Sequence, residues 1–232
     1  MVISSVSHSL SGRLRKGAHT PVVLVIDTEL DPSDPTAAGK LCERLSRVVP
    51  RSWRIARCRF TEVSPALVRR LRTRFIVLSG QGTPWIRYPE ESITRFRDFL
   101  DHTDIPVLGI CGGHQLLALA YGEAVAPIRG TLKGNSYRGM YAQHGYTAVQ
   151  LDRECELFRS VPSPAWFWEN HVEEVKRLPD GFTRIATEDE SPVQAMRHTS
   201  RPLFGVQFHP ERFSTKYPAG CIVLRNFFHL EA

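Results

Sequence analysis

Between Pro106 and Tyr121 the chain reads Pro-Val-Leu-Gly-Ile-Cys-Gly-Gly-His-Gln-Leu-Leu-Ala-Leu-Ala-Tyr, and this stretch limits the possible folds most strongly. The apolar run from Pro106 to Ile110 ends at Cys111 and passes two glycines. Apolar residues then recur at helical spacing from Leu116 to Ala120. The pattern predicts a buried strand, a sharp turn and a helix, with Cys111 at the turn. A turn this tight strains its central residue and brings neighbouring backbone close, which side chains in place of Gly112 and Gly113 would obstruct. The geometry is that of a nucleophile elbow, built with cysteine rather than serine. At the start of the following helix the sulfur meets unpaired N–H groups and the positive end of the helix dipole, both of which favour the thiolate.

The segments before the elbow alternate in type. Pro21 to Thr28 is a continuous apolar run with β-branched residues, as in a strand buried on both faces. Asp31 to Pro35 reads as a loop, Ala37 to Val49 as a helix stopped by Pro50, and Trp53 to Cys58 as a second strand. Helix Pro65 to Arg72, strand Phe75 to Leu78, helix Pro89 to Leu100 and strand Val107 to Ile110 continue the series. Such alternation predicts right-handed βαβ units in an α/β fold, with a doubly wound, mainly parallel sheet and helices on both faces. Sites in these sheets form at the carboxyl ends of strands, which is where Cys111 falls.

After the elbow, residues 126 to 145 are rich in Gly, Lys, Arg, Asn and Tyr, including Arg129, Lys133, Asn135, Tyr137, Arg138 and Tyr141. They read as loops over the mouth of the site. Tyr146 to Leu151 is a further strand, and the aromatics of Trp166 to Val175 read as core or interface. Strands Thr183 to Thr187, Pro192 to Arg197 and Leu203 to Phe208 follow, with a last helix from about Cys221 to Leu230. Near the end, Gly205-Val-Gln-Phe-His-Pro-Glu211 is an apolar strand running into a histidine and a carboxylate two residues on. Alternating strand residues share a face, so Glu211 is placed to accept a hydrogen bond from His209 and orient it. Cysteine nucleophile, histidine base and carboxylate orienter make up a nucleophile triad.

Together, Gly-Ile-Cys-Gly-Gly-His-Gln (109 to 115) and Gly-Val-Gln-Phe-His-Pro-Glu (205 to 211) resemble the class I, triad-type glutamine amidotransferase family, over roughly Pro21 to Phe228. The resemblance implies a flavodoxin-like amidotransferase domain over residues 19–232. In it the Cys111 thiolate attacks the side-chain amide of L-glutamine, and His209, held by Glu211, protonates the leaving ammonia and then activates water against the γ-glutamyl thioester. The family carries a Gly-Pro-Gly-x-Pro or Gly-Gly-Pro segment whose glycine N–H completes the oxyanion hole. Gly80-Gln-Gly-Thr-Pro84 matches the first form with Gln81 in place of proline, which implies oxyanion donors at Gly80 and Gly112. Gln115 resembles the family residue that holds the α-amino and carboxylate ends of glutamine. Asn170-His171-Val172-Glu173 resembles the Ser-His-x-Asp form of enzymes that make GMP, which implies substrate contacts at Asn170, His171 and Glu173, the last to the ammonium.

The pattern is most similar to the glutaminase component of GMP synthase. No phosphate-binding loop of Walker type and no further length for a synthetase is present, so the expected partner is a separate acceptor-activating synthetase or synthase subunit. The alternative is a γ-glutamyl hydrolase or peptidase acting without a partner. Against it, that family usually carries arginine where Gly112 or Gly113 stands.

Composition narrows the setting. The five cysteines, Cys42, Cys58, Cys111, Cys155 and Cys221, are scattered, odd in number and lack metal-ligand spacing. No metal or cofactor is expected, and a reducing cytoplasm is the natural compartment. The net charge of +6 arises from arginines spread along the chain, among them Arg44, Arg47, Arg51, Arg54, Arg57, Arg69, Arg70, Arg72 and Arg74. With no aromatic ladder or groove-reading motif beside them they read as a solvated basic face, not a nucleic-acid surface. No apolar run is long enough to span a membrane. Residues 1–18, basic and serine-rich, are expected to be a disordered start outside the domain.

Overall fold

In the computed structural model, which describes residues 20–31 and 36–230, the strand and helix alternation expected of the first half is present. β1 (Val22–Asp27), α1 (Thr36–Leu45), β2 (Arg54–Arg59), α2 (Pro65–Leu71), β3 (Thr73–Leu78), α3 (Glu90–Asp101), β4 (Val107–Ile110) and α4 (Gly112–Ala120) follow in order. The second half is mostly strand. It contains β5 (Val125–Pro127), β6 (Gln143–Leu151), β7 (Ala165–His171), β8 (Glu173–Val175), β9 (Phe182–Thr187), β10 (Ala195–His198) and β11 (Leu203–Val206), and it closes with α5 (Ala219–Phe228). The expected disordered segment 1–18 and all but Asp31 of the expected loop from Asp31 to Pro35 lie outside the described residues.

The main sheet has nine strands in the order β2-β1-β3-β4-β11-β10-β9-β6-β7. From β2 to β11 every neighbouring pair is parallel, which is the doubly wound part. From β11 onward each added strand is antiparallel to the last. β11, late in sequence, is therefore laid beside β4, and Val206 is in register with Ile110, the residue before Cys111. That single pairing brings the two motifs of the chain side by side.

Both faces of the parallel sheet are covered, as the unbroken apolar run of β1 requires. Val23 and Val25 pack with Leu41 and Leu45 of α1 and Val223 and Phe227 of α5. Val22, Leu24 and Ile26, pointing the other way, pack with Leu67 of α2, Phe96 and Phe99 of α3 and Leu116 of α4.

The segment read as loops over residues 126 to 145 is partly strand. β5 pairs with β8, in register Val125 with Val175, and β6 begins at Gln143 opposite His171. Neither piece carries a two-residue alternation of its own; both are made strands by partners about 30 to 50 residues away, and local pattern cannot reveal such partners. The aromatics of β7 divide between core and exposed surface. Phe167 is buried and stacks on Phe208 with ring centroids 3.9 Å apart, whereas Trp166 is half exposed.

Candidate active site

Cys111 caps the N-terminus of α4 with φ 52° and ψ −105°, a backbone conformation that an L-residue holds only under strain. The strain follows from how closely α4 folds back on β4. A Cβ on Gly109 would lie 2.5 Å from the backbone carbon and oxygen of Gly113, and one on Gly113 would lie 2.5 Å from Leu78 Cβ. The sulfur is buried, with 4% of the residue exposed. Gln207 Nε2 donates to it at 3.7 Å, and the Asn170 carbonyl lies 3.9 Å away. The first N–H groups of α4 have no partner within the helix and open beside the sulfur.

His209 does not sit on a strand. β11 ends at Val206, and Pro210–Arg212 forms a short 3-10 turn that follows His209 directly. The expected pairing is nonetheless made. His209 Nδ1 lies 2.9 Å from Glu211 Oε1 through the curl of this turn instead of through strand alternation. The His209 N–H donates to the Trp168 carbonyl at 2.8 Å, which anchors the turn on β7. His209 Nε2 is buried without a hydrogen-bond partner. Burial opposes charge on this ring, but Glu211 and Cys111 outweigh it and hold the His209 pKa well above the usual histidine value. Burial likewise opposes charge on Glu211, and His209 and Arg44 outweigh it, so its carboxyl lies below the usual range.

Arg44, counted among the solvated arginines from sequence, belongs to this cluster. Its Nη1 reaches Glu211 Oε1 at 3.4 Å from the last turn of α1. No local signal marks it, because the contact joins residues 167 positions apart.

The titrations carry a sign. Glu211, lowered in the fold, adds stability that is present above about 4.5 and is lost as the pH falls through its folded value. His209, raised in the fold, adds stability that is complete below 6.5 and is lost as the pH climbs through its folded value. Glu211→Gln is therefore expected to let His209 deprotonate at lower pH. An NMR titration of the imidazole in the two proteins checks it, and an unmoved midpoint would contradict the assignment.

A loop after β3 completes the site. The Gly80 carbonyl accepts from Ser79 Oγ at 2.9 Å and from Thr28 Oγ1 at 3.2 Å. The trans peptide then turns the Gln81 N–H away from Thr28. A Cβ on Gly112 would lie 2.8 Å from Gln81 N, so the loop presses on the elbow itself. A Cβ on Gly80 would lie 3.7 Å from His209 Cε1 and 3.8 Å from Cys111 Cβ. Gly80, one of the two expected oxyanion donors, thus packs beside Cys111 and His209, and Gly112, the other, follows Cys111 directly. Glu29, just past β1, pins the loop by accepting from the Gly82 N–H at 2.6 Å and from the Thr83 hydroxyl.

Beyond the sulfur lies a cavity of about 190 Å³ whose lining includes Gln81, Cys111, Gln115, Tyr137, Asn170 and Glu173. All four residues expected to contact substrate, Gln115, Asn170, His171 and Glu173, reach its wall. Gln115 is held on three sides. Its Oε1 accepts from Trp85 Nε1 at 2.7 Å, and its Nε2 donates to the Glu173 carbonyl at 2.5 Å and to Gln207 Oε1 at 3.0 Å. Both amide hydrogens are used, and one Oε1 lone pair is left for a donor. Glu173 Oε2 accepts from the Tyr137 hydroxyl and, at 3.3 Å, from the Trp85 N–H. Burial raises the Glu173 pKa against these donors. Asn170 presents its carbonyl to the sulfur.

His171 is built into the wall. Nδ1 lies 3.0 Å from the Glu173 carbonyl and Nε2 3.0 Å from Gln143 Oε1, with Glu169 Oε2 at 3.3 Å. Gln143 donates its own amide to Glu188, so its oxygen is the atom facing the ring, and the ring meets acceptors on both sides. Glu169 is fully buried with neither carboxylate oxygen hydrogen-bonded, and burial raises its pKa against the lowering effect of the nearby His171 ring.

Sequence reasoning missed Arg44, Trp85, Tyr137 as a wall residue, Glu169 and the bridge made by Gln207. Gln207 had a signal available, since it lies in the His209 motif. The others act across the fold. Among the described residues no group of His, Cys, Asp or Glu is arranged to hold a metal ion, and no helix is long and apolar enough to cross a membrane.

The family described as glutamine amidotransferase class-I matches residues 54–230. A protein of Methanocaldococcus jannaschii named as one subunit of glutamine-hydrolyzing GMP synthase is 41% identical over 130 residues, which cover 56% of this chain and 62% of that protein. The protein of the same name from Archaeoglobus fulgidus is 37% identical over 132 residues, covering 57% and 65%. The chain thus spans less than two thirds of the length of these relatives. Among solved structures, a Thermoplasma acidophilum protein described as a candidate GMP synthase subunit superposes with a TM-score of 0.69 at 26% identity, over 90% of this chain and 93% of that one. A Thermotoga maritima glutamine amidotransferase superposes at 0.59 with 20% identity, over 84% and 77%, and shares the fold. The family match runs from the start of β2 past the end of α5, through both the elbow and the His209 turn, and the chain belongs to the class-I glutamine amidotransferase family.

Proposed function

We propose that this chain hydrolyses the side-chain amide of L-glutamine and passes the ammonia to a separate acceptor-activating polypeptide, as in a GMP synthase. The observation that carries the reading is the strained Cys111 at a helix N-terminus, beside a histidine whose far nitrogen is anchored on Glu211. The Cys111 thiolate attacks the amide carbon, and the carbonyl oxygen takes up the electron pair between the N–H groups of Gly112 and Gly80. Loss of one such donor costs about 10²–10³ in rate. As the tetrahedral adduct collapses, the carbon–nitrogen bond breaks and His209 gives its proton to the departing nitrogen, releasing ammonia. His209, now neutral, takes a proton from water. The hydroxide equivalent cleaves the γ-glutamyl thioester, glutamate leaves and the thiolate is restored.

Glu173 receives the substrate ammonium, helped by the free lone pair on Gln115 Oε1, while Asn170 and His171 shape the wall around it. A separate partner is supported by the names of the relatives, each one subunit of a glutamine-hydrolyzing GMP synthase. All five cysteines are unpaired, which suits a reducing cytoplasm.

The test is glutamate release by the purified chain, alone and with the synthetase subunit of a GMP synthase, using L-glutamine and a γ-glutamyl peptide. Release from glutamine that rises when the synthetase is added is expected. Faster release from the γ-glutamyl peptide, unaffected by the synthetase, would overturn the reading in favour of a self-sufficient γ-glutamyl hydrolase.

A further inference from the structure

The segment between β5 and β6 contributes Tyr137 and Ala142 to the cavity wall. The Tyr137 hydroxyl donates to Glu173 Oε2 and accepts from Gln81 Nε2 at 3.2 Å. One phenol thus ties the acidic end of the cavity to the loop that carries Gly80. The segment is fastened on either side of this point. Ile128 N–H donates to the Val172 carbonyl at 2.9 Å, Tyr141 donates its hydroxyl to Glu190 at 2.7 Å, and Arg129 pairs with the same carboxylate while lying over the Tyr141 ring. Between these anchors Gly130, Gly134 and Gly139 all adopt positive φ, a conformation that lets the backbone turn sharply.

We infer that Tyr137 is an internal competitor for the ammonium subsite: its hydroxyl occupies the Glu173 oxygen that an amino-acid ligand needs, and the ligand must displace it to reach Cys111. The inference rests on the glutaminase reading. Burial, and after it the neighbouring Glu173, raise the Tyr137 pKa, so the hydroxyl remains a donor in the resting site. A phenol is nevertheless a neutral donor. An ammonium on the same carboxylate adds the attraction of opposite charges, which the phenol cannot supply. Exchange is therefore downhill for a ligand bearing a free amino group. Displacement also frees Gln81, which links filling of the acidic end to the loop beside the sulfur.

The test compares wild type with Tyr137→Phe, which keeps the ring and its packing, in their rates of Cys111 alkylation by two probes. One is a glutamine-shaped L-amino acid with a diazoketone in place of the amide, which must fill the acidic end; the other is iodoacetamide, which need not. Removing one hydrogen bond to a charged acceptor is expected to speed the amino-acid probe by about tenfold. Iodoacetamide, which also reads the integrity of the Cys111 site, is expected to react at the wild-type rate. Slower labelling by the amino-acid probe would make Tyr137 a substrate contact and overturn the inference. Equal acceleration of both probes would reduce it to a shield, and an unchanged rate would leave it no role at Glu173; either overturns it. If the amino-acid probe labels neither protein while iodoacetamide labels both, the glutaminase reading itself fails and the inference goes with it.

Discussion

Cys111→Ala is expected to abolish glutamate release from glutamine while leaving ammonia-driven synthesis by the partner intact. In the proposed mechanism Cys111, His209 and Glu211 act as a unit, so removing the sulfur removes the covalent route altogether. Losses of roughly 10⁴–10⁶ in rate are the scale for such deletions, with any remainder owed to binding and the oxyanion donors. Alanine keeps the Cβ and therefore the backbone strain at φ 52°, so the fold is preserved and the loss is chemical. Glutamate release and partner synthesis with added ammonium salt are measured on the same preparation. If added ammonia fails to rescue synthesis, the proposed division of labour between two polypeptides is wrong.

Gly109→Ala is expected to cost the most stability of any single-methyl change at the elbow. The added Cβ would sit 2.5 Å from Gly113 C and O and 2.7 Å from His114 N, all backbone atoms of the first turn of α4. No side chain can swing aside to make room. The helix must lift off the strand, and Cys111 lies between the two. Overpacking of this kind costs about 3 kcal/mol or more. Gly39→Ala, in the middle of α1, is the contrast: its Cβ would meet nothing closer than Arg57 Nη1 at 3.7 Å. Better helix propensity there is expected to raise stability by up to about 1 kcal/mol. Denaturant midpoints of the two variants against wild type decide it, and a Gly109→Ala midpoint close to wild type would show that the strand–helix contact is softer than these distances require.

The two motifs were readable because each is local. Continuous apolar runs, helical spacing and a glycine pair at the turn specify strand, elbow and helix within sixteen residues. Strand and helix boundaries in the first half fall within a few residues of their expected positions for the same reason. His209 and Glu211 were correctly paired on the wrong geometry. Two residues apart on a strand and two residues apart across a 3-10 turn both allow contact, and the apolar run does not reveal that the strand stops at Val206. The antiparallel extension, and with it β5 and the start of β6, was legible only in part, since those strands owe their form to distant partners and not to their own alternation.

The sequence by itself determined that Cys111 stands at a strained turn and that His209 lies within reach of Glu211, because strain at a turn, glycine at a close approach and spacing within a motif are properties of neighbouring residues. Tertiary structure alone decided what surrounds them. The parallel pairing of β11 with β4 joins motifs about 95 residues apart, Arg44 reaches Glu211 from another helix, and Tyr137 meets Glu173 from the segment between β5 and β6. Each of these contacts depends on the rotation and register of packed elements. Long-range packing sets those quantities, and no local periodicity encodes them.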